Sequence, residues 1–462
     1  MSSISQIESL QASLNAALDA LRDEMKRLSL PELSSTNPHR HSMDEPGFVC
    51  SPRLYEARRL AIAALGEIKN IIQYPFEKVV QQSCAVYDTA CLDILLKTGV
   101  IDQLADSSVI NDGLDVHDLQ KTLDLDPAKL TVVLRYLASQ GWLQETKEGT
   151  FKLTRAALEL SEGHGGRDWI YFSTMPPVAQ SLLAQITHPE WKHSQRPDQC
   201  AFQLAHNTSL TTFAWMKQHP EKLGPWAKAI QAMGDAYHAP MLYDFPWKKF
   251  DSQTFIDCGG GLGNLSIALS EILPQSQFIV QDLDEVITKA QPNIANRAPI
   301  ASQEGRITAE VVDLFAIQPR HGEGFVYLLR HVLHNWTNEN CIKMLKNITE
   351  VATHSSTFII IEVVSQPNSL SNATPTQGEI VTLDDLIGSD TYRAITPPPY
   401  IPTNFGASAK TSLGLGTHMM GLFNARERSL REWTEIVNSA GLKVVEVHSF
   451  RGMVSAIECK FA

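Results

Sequence analysis

None of the chain's seven cysteines, Cys50, Cys84, Cys91, Cys200, Cys258, Cys341 and Cys459, stands in a C-x-x-C pair. Their odd number and scattered spacing exclude a disulfide framework and a zinc site of paired cysteines, so no metal is expected and a reducing, cytoplasmic setting is. No segment holds about 18 unbroken apolar residues, and the first residues lack a basic stretch followed by a continuous apolar one. Neither secretion nor membrane spanning is expected. Basic charge is also short, with 39 Lys and Arg against 51 Asp and Glu and a formal net charge of −12. That balance opposes nonspecific attraction to nucleic acid or an anionic membrane, leaving a small molecule or another protein as partner. No internal repeat is evident.

What is present suits a folded chain, with 43% hydrophobic and 19% charged residues. Its 462 residues exceed what one core usually serves, so two domains plus accessory segments are expected. Residues 1–50 read as a helical arm and linker. From Ile4 through Ile7, Leu10, Leu14, Leu18, Leu21 and Met25 to Leu28, apolar residues recur at steps of three and four, one face of a helix. That face packs on its own chain or makes a dimer contact. Residues 51–165 end in the outline of a winged helix-turn-helix: a short helix from Asp115 to Thr122, a second opened by Asp126-Pro127 and stopped by Gly141, then two strand candidates around a KEG turn. Residues 112–160 carry six Lys and Arg against eight Asp and Glu. Such a module has no electrostatic footprint for DNA, which favours dimerisation or substrate capping. Residues 166–250 are helical and aromatic and suit the lining of a pocket for a planar organic ligand.

From residue 251 to 462 strand and helix candidates alternate, which implies a mostly parallel sheet covered by helices on both faces. A final strand pair around Arg451-Gly452 reads as an antiparallel hairpin at its edge. In TFIDCGGGLGNLSIAL, Asp257 ends a buried strand, and Gly259, Gly260, Gly261 and Gly263 fill the turn before a helix. Glycines there allow a tight turn and a close approach of main chain to a ligand. Asn264 stands where a nicotinamide fingerprint needs its third glycine, so that cofactor fits poorly. Asp282 with Leu283 ends the next strand, nineteen residues past Gly263, where an acid can accept hydrogen bonds from ribose hydroxyls. Asp313 with Leu314 ends the third, placed beside an adenine edge.

The Asp257 to Gly263 run resembles motif I of class I S-adenosylmethionine-dependent methyltransferases. LLRHVLHNW is similar to the His block of plant caffeic-acid-type and fungal secondary-metabolite O-methyltransferases, and QDL, DLF, FIIIEVV and RERSLREWTEIVNSAGL occur in that family's order. The resemblance covers about 55–462. It implies a Rossmann-like domain with a seven-stranded sheet, an N-terminal winged-helix dimerisation domain, a homodimer, S-adenosylmethionine as cofactor and an aromatic or polyketide-type phenol as substrate. On the matching positions the base falls on His334, with His331 as the other candidate, and Glu362 and Glu427 flank the base and orient it. Arg330 takes the basic position near the cofactor. Trp226, Met233, His418, Met419 and Met420 take the positions around the substrate. Asn335, Leu262 and the His418-Met419 pair depart from the family's pattern. The stretch 365–415 is too long for an ordinary loop and is expected to form a lid or a second dimer contact. Two rivals remain: the same fold turned to dehydration or pericyclic ring formation, with Arg330, His331 or His418 as donors, and a winged-helix regulator that senses a nucleoside.

Overall fold

The computed structural model describes residues 5–45, 47–173, 176–370 and 380–462. Ile4 of the arm and residues 371–379 of the long C-terminal stretch lie outside them. The first helix, Gln6–Arg27, is opened by Ser5, whose hydroxyl accepts from the Glu8 amide while the Glu8 carboxylate accepts from the Ser5 amide. It packs lengthwise on the helix Pro52–Ile72 of the same chain. Residues of the long stretch cover the pair: Leu383, Leu386, Ile395, Ile401 and Phe405 share one core with Leu10, Ala17, Leu60 and Ala64. Residues 380–405 therefore pack on the arm, covering Leu10, Ala17 and Ala20 and leaving Ile7 and Leu18 of its apolar face exposed. Short polar ties reinforce this, from Arg53 Nε to the Leu383 carbonyl at 3.1 Å and from the Tyr392 hydroxyl to Glu56 at 2.6 Å.

The next unit holds three short strands, β1 (Leu114–Asp115), β2 (Leu143–Lys147) and β3 (Thr150–Leu153), in the order β1-β3-β2. The two helices Val116–Leu123 and Pro127–Ser139 lie between β1 and β2, close to the ranges read from the sequence. Leu95, Leu119, Leu134, Phe151 and Leu153 form their common core. The 25-residue helix Pro220–Asp244 then leads toward the large sheet.

That sheet contains β4 (Thr254–Cys258), β5 (Gln277–Asp282), β6 (Ile307–Val311), β7 (Val326–Arg330) and β8 (Thr357–Glu362). After β8 come the two-residue strands β9 (Val364–Ser365) and β10 (Arg428–Ser429), and the hairpin β11 (Leu442–Ser449) and β12 (Ser455–Phe461). The seven-stranded order is β11-β12-β8-β7-β4-β5-β6, parallel except where β12 meets its two neighbours. The mixed α/β architecture expected from the alternating pattern is the observed one. Period-two alternation fills both faces: Phe255, Val326, Leu328, Ile359 and Ile361 pack on one side, Ile256, Tyr327, Leu329, Phe358 and Ile360 on the other. One boundary differs. The apolar run FIIIEVV predicts a fifth strand over Thr357–Val364, but the ladder stops at Glu362 because Val364 and Ser365 pair instead with Arg428 and Ser429. Connections reverse between β4 and β7, and in open sheets ligands sit beyond the carboxyl ends of the strands at such a reversal. Among the described residues no helix is long and apolar enough to cross a membrane.

Candidate active site

At the end of β4 the main chain makes the turn that the glycines foretold. Gly259, Gly261 and Gly263 have φ of 71°, 59° and 78°, a region costly for any residue with a Cβ. A Cβ on Gly259 would also meet Val332 Cγ2 at 2.7 Å, and one on Gly260 would meet the Asp257 carboxyl carbon at 2.7 Å. The amides of Gly259 and Gly260 both donate to the Gln281 carbonyl, which ties this turn to β5. Asp257 is buried behind the turn and accepts from the Ser266 hydroxyl at 2.6 Å. Burial pushes its carboxyl up to about 6. Asp257 thus braces the glycines from beneath. Asp282 faces the turn itself, accepting from the Gly261 amide at 2.9 Å with one oxygen and from the Leu283 amide at 2.8 Å with the other. Asp313 is exposed and accepts from the Phe315 amide at 2.9 Å, while Leu314 lies across the turn from Gly259.

Beyond β7 the chain turns through His331, at φ 53°, into a short helical turn, Leu333–Asn335. Two buried charges hold that turn. Glu362 Oε1 accepts from the amides of Val332, Leu333 and His334, at 3.1, 2.9 and 3.3 Å. Arg428, fully buried, donates to the carbonyls of Leu333 and Trp336 and to Asn338. His334 is gripped separately, its Nδ1 lying 2.9 Å from Glu427 Oε1. The β9 to β10 pairing explains how two acids 65 positions apart meet: Val364 lies beside Arg428, so Glu362 and Glu427 arrive on the same side of the turn.

Burial disfavours the charged form of His334, but the carboxylates of Glu362 and Glu427 outweigh it and raise the imidazole above its ordinary value. Burial pushes Glu362 up to about 7, so it and His334 titrate as a coupled pair. His331 is held neutral by burial, with His334 and Arg330 beside it. Both His334 and Glu427 were expected at the site, and the structure brings them into contact. Glu362 acts on the imidazole differently from Glu427. Its hydrogen bonds go to main chain, and its second oxygen stands 3.9 Å from His334 Nδ1, so it shapes the turn and acts on the ring through charge.

Of the expected substrate residues, Met233 lines a small cavity with Gly234, Tyr237, Arg330, His331 and Met453. Met419 is buried in a helical cluster with Val178, Phe202 and Phe423, and Trp226 packs against the same cluster, whereas the small cavity is lined by other residues. His418 is half-buried, and burial lowers its imidazole. Tyr237 belongs to the aromatic stretch expected to line a pocket, whereas sequence reasoning missed Met453, which comes from a hairpin turn far away in the chain. It also missed Arg428, although the RERS segment that supplied Glu427 contains it.

Residues 189–391 match the O-methyltransferase domain family. The O-methyltransferase tpcA of Aspergillus fumigatus is 25% identical over 445 residues, covering 88% of this chain and 87% of that protein. Among solved structures, one described as a pericyclic reaction enzyme superposes with a TM-score of 0.70 at 19% identity, covering 98% of this chain and all of the other. LepI in complex with S-adenosylmethionine gives 0.69 at 21% identity, covering 88% and 94%.

Proposed function

We propose, on the premise that this chain is an enzyme of the O-methyltransferase family, that it methylates a phenolic hydroxyl of an aromatic or polyketide-type secondary metabolite. The observation that carries this reading is the 2.9 Å contact between His334 Nδ1 and Glu427 at the mouth of β7. With Nδ1 committed to the carboxylate, the neutral imidazole keeps its proton there and presents Nε2 as a bare acceptor. A phenol with a pKa near 10 is a poor nucleophile at neutral pH, so a base that removes its proton during attack lowers the barrier. Bound S-adenosylmethionine would supply an electrophilic methyl group on sulfur. Gly259, Gly261, Asp282 and Asp313 would hold it, and the glycine turn, where a Cβ would collide, suits close approach of a ligand to main chain. Arg330 and Met233 would meet the substrate across the cavity. The apolar side chains of Ile72, Phe76, Val79 and Val86, exposed on consecutive helices, with Tyr74 exposed between the first two, support a homodimer formed through the N-terminal region.

A second reading keeps the cofactor and drops the transfer. It is favoured by Arg330 and His331 meeting in the same cavity, where two donors can polarise a carbonyl for ring closure, and by the likeness to a pericyclic reaction enzyme. Product mass separates the readings. Incubation with aromatic candidate substrates and S-adenosylmethionine should add about 14 Da, the weight of one CH2; an isomer of unchanged mass selects the second reading.

A further inference from the structure

The space between Glu362 and the two histidines has a telling size. Glu362 Oε2 lies 3.8 Å from His331 Nδ1 and 3.9 Å from His334 Nδ1, beyond hydrogen-bond reach of either. This oxygen is fully buried and has no hydrogen-bond partner among the described residues. Ligands about 2.0 to 2.1 Å from a tetrahedral zinc ion stand about 3.4 Å from one another. The gap is therefore a few tenths of an ångström wider than a shared ion requires, and one ligand atom from each of the three residues lies within 4.8 Å of the others. We propose that His331, His334 and Glu362 form a binding site for a small divalent cation of the Zn2+ kind.

Two imidazoles and a carboxylate form a donor set that suits zinc and its neighbours. Glu427, whose Oε1 lies 2.9 Å from His334 Nδ1, has a second oxygen with no hydrogen-bond partner among the described residues. The way in is from the cavity, which His331 lines and where its side chain keeps 31% of its exposure. The other comparable group, Glu446, His448 and Glu458, does not carry the same inference, because Lys249 already neutralises Glu458 at 2.5 Å.

The test is titration of the chelator-stripped full chain with Zn2+ alone against a chromogenic chelator, and with Co2+ followed by its visible absorption. One ion per chain and the ligand-field bands of a tetrahedral site are expected. His331→Asn should weaken Zn2+ binding about tenfold or more and abolish those bands. Asn is well tolerated at the φ of 53° found there, so the fold should persist, as the thermal midpoint will verify. Glu362→Gln should weaken binding likewise. Equal affinity of the wild-type chain and His331→Asn, or no binding by the wild-type chain, overturns the proposal. Neither measurement uses turnover, so a wrong assignment of the reaction would leave this result standing.

Discussion

Along the carboxyl edge of the sheet, the ends of β4 and β5 are shaped by main chain, whereas the ends of β7 and β8 are shaped by charged side chains. The first region is contiguous: Asp257 to Leu283 supplies the glycine turn, its brace and the acid facing it. The second is assembled from residues 93 positions apart, His334 and Glu427, around a turn clamped by Glu362 on its amides and Arg428 on its carbonyls. Main chain with positive φ gives a rigid concave surface, suited to holding a ligand. A cluster of buried, coupled charges gives a site whose proton count changes near neutral pH, suited to moving a proton. The comparison implies that cofactor affinity and turnover fail separately.

The strongest attempt to break that division is His334→Ala. Turnover should fall by about 10^2 to 10^4-fold, with S-adenosylmethionine affinity by calorimetry unchanged. Retained turnover would remove His334 from its role, and loss of cofactor binding would erase the division. Gly259→Ala attacks the other region, where the new Cβ would stand 2.7 Å from Val332 at a φ of 71°. Cofactor affinity should weaken at least about tenfold, from strain of about 1 to 3 kcal/mol. Its pH profile should match that of the wild-type chain, whereas a shifted profile would show that the turn also controls the base.

Glu427→Gln sharpens the comparison within the second region. It keeps the shape, removes one of the charges that raise His334, and should lower turnover by about tenfold. Activity needs neutral imidazole, so the wild-type rate should rise with pH through a midpoint above the ordinary histidine value, and the variant's midpoint should move to lower pH. An unmoved midpoint would dissociate Glu427 from the base. The smallest effect belongs to Glu362→Gln. The folded chain holds the Glu362 proton to about pH 7, well above an unfolded carboxyl, so the folded state binds more protons in between. This contribution to stability is full below the unfolded value and is lost as pH rises through about 7. The thermal midpoint of the wild-type chain should thus fall by a few degrees relative to the variant over that rise, and parallel curves would refute the shifted carboxyl.

The same two regions explain what the sequence disclosed. Glycines, strand-end acids and period-two apolar runs are local signals, so the glycine turn, Asp282, the alternation of strands with helices and the final hairpin were legible, apart from the early stop at Glu362. His334 and its two acids were legible only through resemblance. Their division of labour was not, because nothing local says that one oxygen of Glu362 takes three amides. Met419 and Trp226 were legible as apolar positions but not as members of one helical cluster, since an apolar side chain beside a site has the same pattern as one in the core. The cation cluster escaped notice because its third donor comes from a different strand, and cysteine spacing carries no information about it.

The arm and the stretch 380–405 share one core, although they stand more than three hundred positions apart. During synthesis the first two helices emerge long before Leu383, Ile401 and Phe405 exist. Their shared apolar surface must wait, uncovered, for the last fifth of the chain. Chains truncated before residue 380 should accordingly aggregate as they are made, even though the glycine turn and the strands of β4 through β8 would already be complete.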